Sequence, residues 1–86
     1  MDRRTEIEQT VKEILAKQLK MDPANIKSEA LLTEELGLDS FGALESAFEM
    51  EEKFAIQIPN EALYNVKTVK DIVDHIVEQT KDKTNA

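Results

Sequence analysis

Two side chains in this sequence have types that could do chemistry together: Ser40, directly after Asp39, and His75, the one histidine in the chain. A serine with a histidine base is the equipment of a nucleophilic hydrolase. The context argues against that use. Ser40 has no G-x-S-x-G turn and no oxyanion loop, and His75 lies between the apolar Ile72 and Ile76 of a helix-like pattern. Hydrolysis would require the fold to bring His75 to Ser40. Aspartate and serine also favour helix N-termini, so Asp39-Ser40 taken alone reads first as a cap. The acidic residues do not form a calcium loop, because neither Gly37 nor Gly42 is preceded by the alternating oxygen ligands of an EF-hand. Without cysteine there is no disulfide and no thiolate zinc site, and one histidine cannot make a cluster. Any thiol or metal chemistry has to be brought in from outside.

Composition narrows the choice of scaffold. The chain has 86 residues, with 34% charged, 5% aromatic, and two each of glycine and proline, a balance suited to a small all-α domain and poor for a β-sandwich. The formal net charge of -7 disfavours nucleic acid and anionic lipid and suits basic protein partners. The N-terminal segment MDRRTEIEQT has no apolar signal region, and no apolar run approaches a membrane span. The expectation is one small domain over 1–86, with its core at about 3–80 and a flexible tail at 81–86, soluble, monomeric and cytoplasmic.

Hydrophobic periodicity supplies the elements that must position Ser40. Ile7, Val11, Ile14, Leu15 and Leu19 share one helical face, with Glu8, Lys12, Glu13 and Lys17 on the other. Pro23 is expected to end this first helix at Asp22. A long connection follows to Asp39, held down by Ile26, Leu31, Leu32, Leu36 and Leu38, with a helical turn at Thr33 to Leu36. From Ser40 the residues Phe41, Leu44, Ala47, Phe48 and Phe54 gather on one face of a second helix, and Phe41 and Phe48 are expected to pack in the core. Pro59 should stop its continuation and Asn60 should cap a short third helix through Leu63 and Tyr64. Thr68 and Asp71 form a capping-box pattern before Val69, Ile72, Val73, Ile76 and Val77 of the last helix. Glu51 projects into the apolar arc of the second helix, a position that a hydrogen bond toward the third helix would explain. Glu45, Glu49 and Glu52 fall together beside that arc, as an ordinary solvated face would.

Taken together, Gly37-Leu38-Asp39-Ser40, the acidic amphipathic helix after it, Phe54, Ile58-Pro59 and Thr68-Val69 resemble an acyl carrier protein from the first helix to about Val77. The resemblance implies a small four-helix bundle, with three main helices and a short third one. It implies that Ser40 receives 4'-phosphopantetheine from coenzyme A through a phosphopantetheinyl transferase, supplying the thiol the chain lacks. A phosphodiester at a helix N-terminus would face free backbone N–H groups and the positive end of the helix dipole. Acyl cargo would then be carried as a thioester between enzymes of fatty-acid, lipid or polyketide-type biosynthesis, with no catalysis by the carrier. The resemblance also implies that basic patches on loading enzymes, synthases and acyltransferases dock on Asp39, Phe41, Glu45, Glu49 and Glu52.

Three positions depart from the usual pattern of fatty-acid carriers, which have leucine, an acidic residue and a further leucine where Phe41, Gly42 and Ser46 stand. Gly42 also lowers helix propensity by about 1 kcal/mol relative to alanine. The run Asp39-Ser40-Phe41-Gly42 is similar as well to aminoacyl and D-alanyl carriers, which keeps an aminoacyl cargo as an alternative. A helical interaction domain in which Ser40 is never modified is the alternative of a different class.

Overall fold

The protein is described by a computed structural model over residues 2–81. The expected flexible tail lies, apart from Lys81, outside the described residues. Four α-helices follow one another: α1 (Arg3–Leu19), α2 (Ser40–Phe54), α3 (Asn60–Asn65) and α4 (Val69–Thr80). No β-strand occurs among the described residues; Leu31 and Thr68 form one isolated bridge.

The apolar stripes of α1 and α4 meet as their periodicity predicts. Val11 and Leu15 of α1 and Val69, Val73 and Ile76 of α4 are completely buried. The two helices are tied at their far ends, where Arg3 donates to the carbonyl of Val77 at 3.2 Å and to the hydroxyl of Thr80. Arg4 and Asp74 add an exposed ion pair at 2.6 Å, of the kind that contributes at most about 1 kcal/mol.

The connection between α1 and α2 is ordered; of its five expected anchors Ile26, Leu32 and Leu38 are buried, while Leu31 and Leu36 are only half-buried. Backbone pairing fixes it further, with Leu32 N–H donating to Lys67 at 2.9 Å and Lys70 N–H to Ser28 at 2.8 Å. The expected turn near Thr33 is present, with Glu35 and Leu36 both donating to the Leu31 carbonyl. Gly37 closes it at φ 74°, a conformation that glycine adopts without strain.

Helix termini differ from expectation in three places. α1 stops at Leu19 because Lys20 turns left-handed, at φ 58°, before Pro23 is reached; Pro23 instead opens a 3-10 turn, Pro23–Asn25, capped by Asp22. α2 likewise ends through a left-handed Ala55, at φ 54°, with Pro59 four residues further on. Pro59 then occupies the cap position of α3, so Asn60 is the first helical residue and not the cap. Local left-handed caps end these helices earlier than proline could.

The capping box of α4 is present: Asp71 N–H donates to the Thr68 hydroxyl at 3.2 Å, and the Asp71 carboxylate accepts from Lys67 N–H at 2.9 Å and Thr68 N–H at 3.2 Å. The bond from Lys67 is the main reason the Asp71 carboxyl titrates below its usual 3.8. Its folded pKa is depressed, so its stabilisation is complete above the unfolded value and disappears as pH falls through the folded one. Asp71→Ala should lower the melting temperature at neutral pH by up to about 4–8 °C, the equivalent of about 1 kcal/mol, and the gap should close in acid, once the pH lies below the lowered folded value. A gap that survives unchanged in acid would assign the loss to something other than the carboxylate.

Candidate functional site

Ser40 is the first residue of α2 and is exposed to solvent. It does not cap the helix, contrary to the simplest reading of Asp39-Ser40. That role belongs to Asp39, whose carboxylate accepts the Gly42 N–H at 2.7 Å while its carbonyl accepts the Ala43 N–H at 2.8 Å. The reason is geometric: the cap must have extended backbone, which Asp39 has at φ -91° and ψ 178°, one residue before the helix begins. The serine hydroxyl is thereby left without a structural duty. The N–H groups of Ser40 and Phe41 make no hydrogen bond among the described residues. They end a helix of 15 residues, whose dipole favours negative charge at this point. A phosphodiester on Ser40 therefore fits what surrounds it.

Gly42 has a structural role that its low helix propensity conceals. It is buried, and a Cβ there would stand 3.0 Å from Asp39 Oδ1, 3.1 Å from Leu38 Cδ1 and 3.4 Å from Gln18 Cγ. The cap, the end of the connection and α1 all close on this position. Any side chain, acidic ones included, would press on the carboxylate that begins α2.

Beside Ser40 lies a cleft of about 720 Å³ between α2, α3 and the connection. Ser40 and Asp39 stand on its lining with Leu44, Ala47, Met50 and Leu63. α3, six residues and so about 9 Å long, contributes Ala62, Leu63 and Tyr64 to its lining. The core assignment of α2 is corrected by the face it turns inward: Gly42, Ser46, Ala47 and Met50 are buried, about half a turn round the helix from Phe41 and Phe48. Phe41, Leu44 and Phe48 are 68%, 44% and 62% exposed, forming an uncovered apolar stripe, while Ala47 and Met50 provide the buried contacts. Tyr64 of α3 is also exposed.

The acidic residues divide by circumstance. Glu45 and Glu52 are exposed beside the apolar stripe, and Glu49 is held at 3.5 Å by Lys17 of α1. The Glu51 carboxylate accepts the Ile58 N–H at 2.7 Å, pinning the segment between α2 and α3 as the expected hydrogen bond would. His75, on α4, lines the same cleft as Ser40, but its Nε2 is buried with no hydrogen-bond partner among the described residues. No Ser–His pair of the hydrolase type is formed. Sequence reasoning missed His75 and Ser46 as cleft residues, since both sit on helix faces that periodicity assigns simply to packing.

Residues 9–76 match the family described as the phosphopantetheine attachment site. An acyl carrier protein of Bdellovibrio bacteriovorus is 38% identical over 71 residues, covering 83% of this chain and 91% of its own. One from the Aster yellows witches'-broom phytoplasma is 43% identical over 70 residues, covering 81% and 92%. The fold superposes at a TM-score of 0.78 and 26% identity on a Mycobacterium tuberculosis chain proposed to be an acyl carrier protein, over 84% of this chain and 96% of that one. A helical bundle of the same shape and relatives spanning most of the chain thus agree on one assignment: this protein belongs to the acyl carrier family, whose members carry 4'-phosphopantetheine.

Proposed function

We propose that Ser40 carries the 4'-phosphopantetheine arm and that the chain, as one monomeric carrier domain in the cytoplasm, ferries acyl thioesters between enzymes of fatty-acid, lipid or polyketide-type biosynthesis. The observation that carries this reading is the release of Ser40 from capping. Asp39 holds the helix start, so the exposed Ser40 hydroxyl can be esterified without loss of a structural hydrogen bond. When bound, the arm supplies the terminal thiol on which cargo is held. The chain's own residues would hold it: Asp39 fixes the helix end, and the unbonded Ser40 and Phe41 N–H groups would be available to the phosphodiester. In this reading the chain carries its cargo and leaves the chemistry to its partner enzymes.

Intact-protein mass spectrometry after incubation with coenzyme A and a promiscuous phosphopantetheinyl transferase tests the proposal. A gain of one phosphopantetheinyl group is expected; no gain, with a control carrier modified in parallel, would favour the unmodified interaction domain.

Docking follows from charge and exposed apolar surface on α2. Glu45 and Glu52 flank Phe41, Leu44 and Phe48, a combination that suits a partner enzyme with basic residues around an apolar contact. Asp39 and Phe41 border the arm, and Glu49 belongs to the same face although Lys17 partly neutralises it. Glu45→Lys should slow transfer by the partner transferase at low salt by about tenfold, with the deficit shrinking as the Debye length falls below about 8 Å. A defect of equal size at every salt concentration would remove the acidic face from recognition.

A further inference from the structure

The acidic face of α2 has an edge that α1 supplies. Going round α2 at about 100° per residue, Glu52 and Glu45 follow the apolar stripe of Phe41 and Phe48, Glu49 comes next, and the buried Gly42 after it. Gly42 is where α1 closes on α2, with its Cβ position 3.4 Å from Gln18 Cγ, so Glu49 is the last carboxylate before α1. Lys17 of α1 reaches it, Nζ to Oε1 at 3.5 Å. The pair stays open to solvent: the Lys17 side chain is 76% exposed and that of Glu49 38%. Lys53, one turn beyond Glu49, is exposed on the same side of α2. Glu45 and Glu52 are exposed too, and neither has an ion-pair partner among the described residues.

We propose that Lys17 selects among partner enzymes: it occupies Glu49 and so confines the cation-binding part of the docking face to Glu45 and Glu52. The inference rests on α2 being the docking helix of a carrier loaded at Ser40. A partner's lysine or arginine arriving at Glu45 or Glu52 meets a free carboxylate. One arriving at Glu49 must displace the ammonium held there, and it approaches Lys53 as well. Exposed pairs are weak, so Lys17 does not bar the position outright but lowers its share of recognition. The partner that fits is an enzyme with an apolar patch for Phe41, Leu44 and Phe48, cations along one side of that patch against Glu45 and Glu52, and a neutral or acidic margin toward Lys17. An enzyme whose cations extend over Glu49 meets like charge, and that repulsion is the discriminating element.

The test is a set of charge-removing variants of the full chain, loaded from coenzyme A by a promiscuous phosphopantetheinyl transferase and followed by intact mass. KM for the carrier is measured at about 0.15 M salt, where a Debye length of about 8 Å screens distant charges and leaves the contacts. Glu45→Gln and Glu52→Gln should each raise KM about threefold, within the worth of an exposed pair, and Glu49→Gln by less than about 1.5-fold. Lys17→Gln frees Glu49, and in that background Glu49→Gln should raise KM about threefold like the other two. Lys17→Arg, which keeps the cation, should return the small Glu49 effect. The melting temperature of Lys17→Gln should stay within a few degrees of the parent, which separates lost charge from lost fold. A Glu49→Gln effect as large as that of Glu45→Gln while Lys17 is present, or one that Lys17→Gln leaves unchanged, overturns the proposal. A transferase indifferent to all three carboxylates defeats the docking reading of α2 together with it, whereas absence of loading defeats the carrier reading itself.

Discussion

Ser40→Ala is expected to accept no phosphopantetheine at all while melting within about 2 °C of the parent chain, less than the loss of a helix cap would cause. The two halves of this result have separate causes. Loading disappears because the phosphodiester forms at the hydroxyl that the substitution removes. Stability survives because the hydroxyl makes no hydrogen bond that holds α2, and because alanine at the first helical turn is well tolerated. Asp39→Ala should show the reverse pattern. It removes the 2.7 Å bond to the Gly42 N–H and should cost about 1 kcal/mol, equivalent to about 4–8 °C, while leaving the Ser40 hydroxyl in place for modification. Mass spectrometry and thermal unfolding on the two variants separate the roles. Full loading of Ser40→Ala would exclude Ser40 as the site, and a large melting loss in that variant would restore it to the cap.

The largest loss of stability is expected at the contact of α1 and α4. Ile76 is 0% exposed, so Ile76→Ala removes apolar atoms from the centre of the core and leaves a cavity that the helices, tied at Arg3 and Thr80, can only partly close. Such substitutions cost about 2–5 kcal/mol. Native domains have about 0.05–0.15 kcal/mol of stability per residue, which makes that loss a large share of the total for a chain this short. The melting temperature should fall by about 10 °C or more. Unfolding in urea should show a lower midpoint with an unchanged slope, since the same surface is exposed when the chain unfolds. A fall of only a degree or two would mean that the core repacks around the gap.

How much of this protein is legible in its residues depends on the range of the interaction concerned. The stripes of α1 and α4, the Thr68–Asp71 box and the anchors Ile26, Leu32 and Leu38 are set by spacing along the chain, and they stand where the sequence puts them. Helix ends are less readable. Pro23 and Pro59 are conspicuous, yet Lys20 and Ala55 end α1 and α2, and neither residue advertises a left-handed backbone. Those caps are chosen by the path the chain must follow afterwards.

The order of Asp39 and Ser40 holds both levels at once. From the sequence come the candidate serine, the lack of any thiol of its own, the helical class and the acidic face beside it, because each is a property of residue type and local period. Tertiary structure alone decided that Asp39 takes the cap and frees Ser40, that Gly42 is needed for close approach, and that α2 buries Ser46, Ala47 and Met50 and leaves Phe41, Leu44 and Phe48 uncovered. It also brought Ser46 and His75 to the cleft that begins at Ser40. Period reveals which face of a helix is apolar, but burial is a sum over neighbours from distant parts of the chain, and only the packed bundle carries it out.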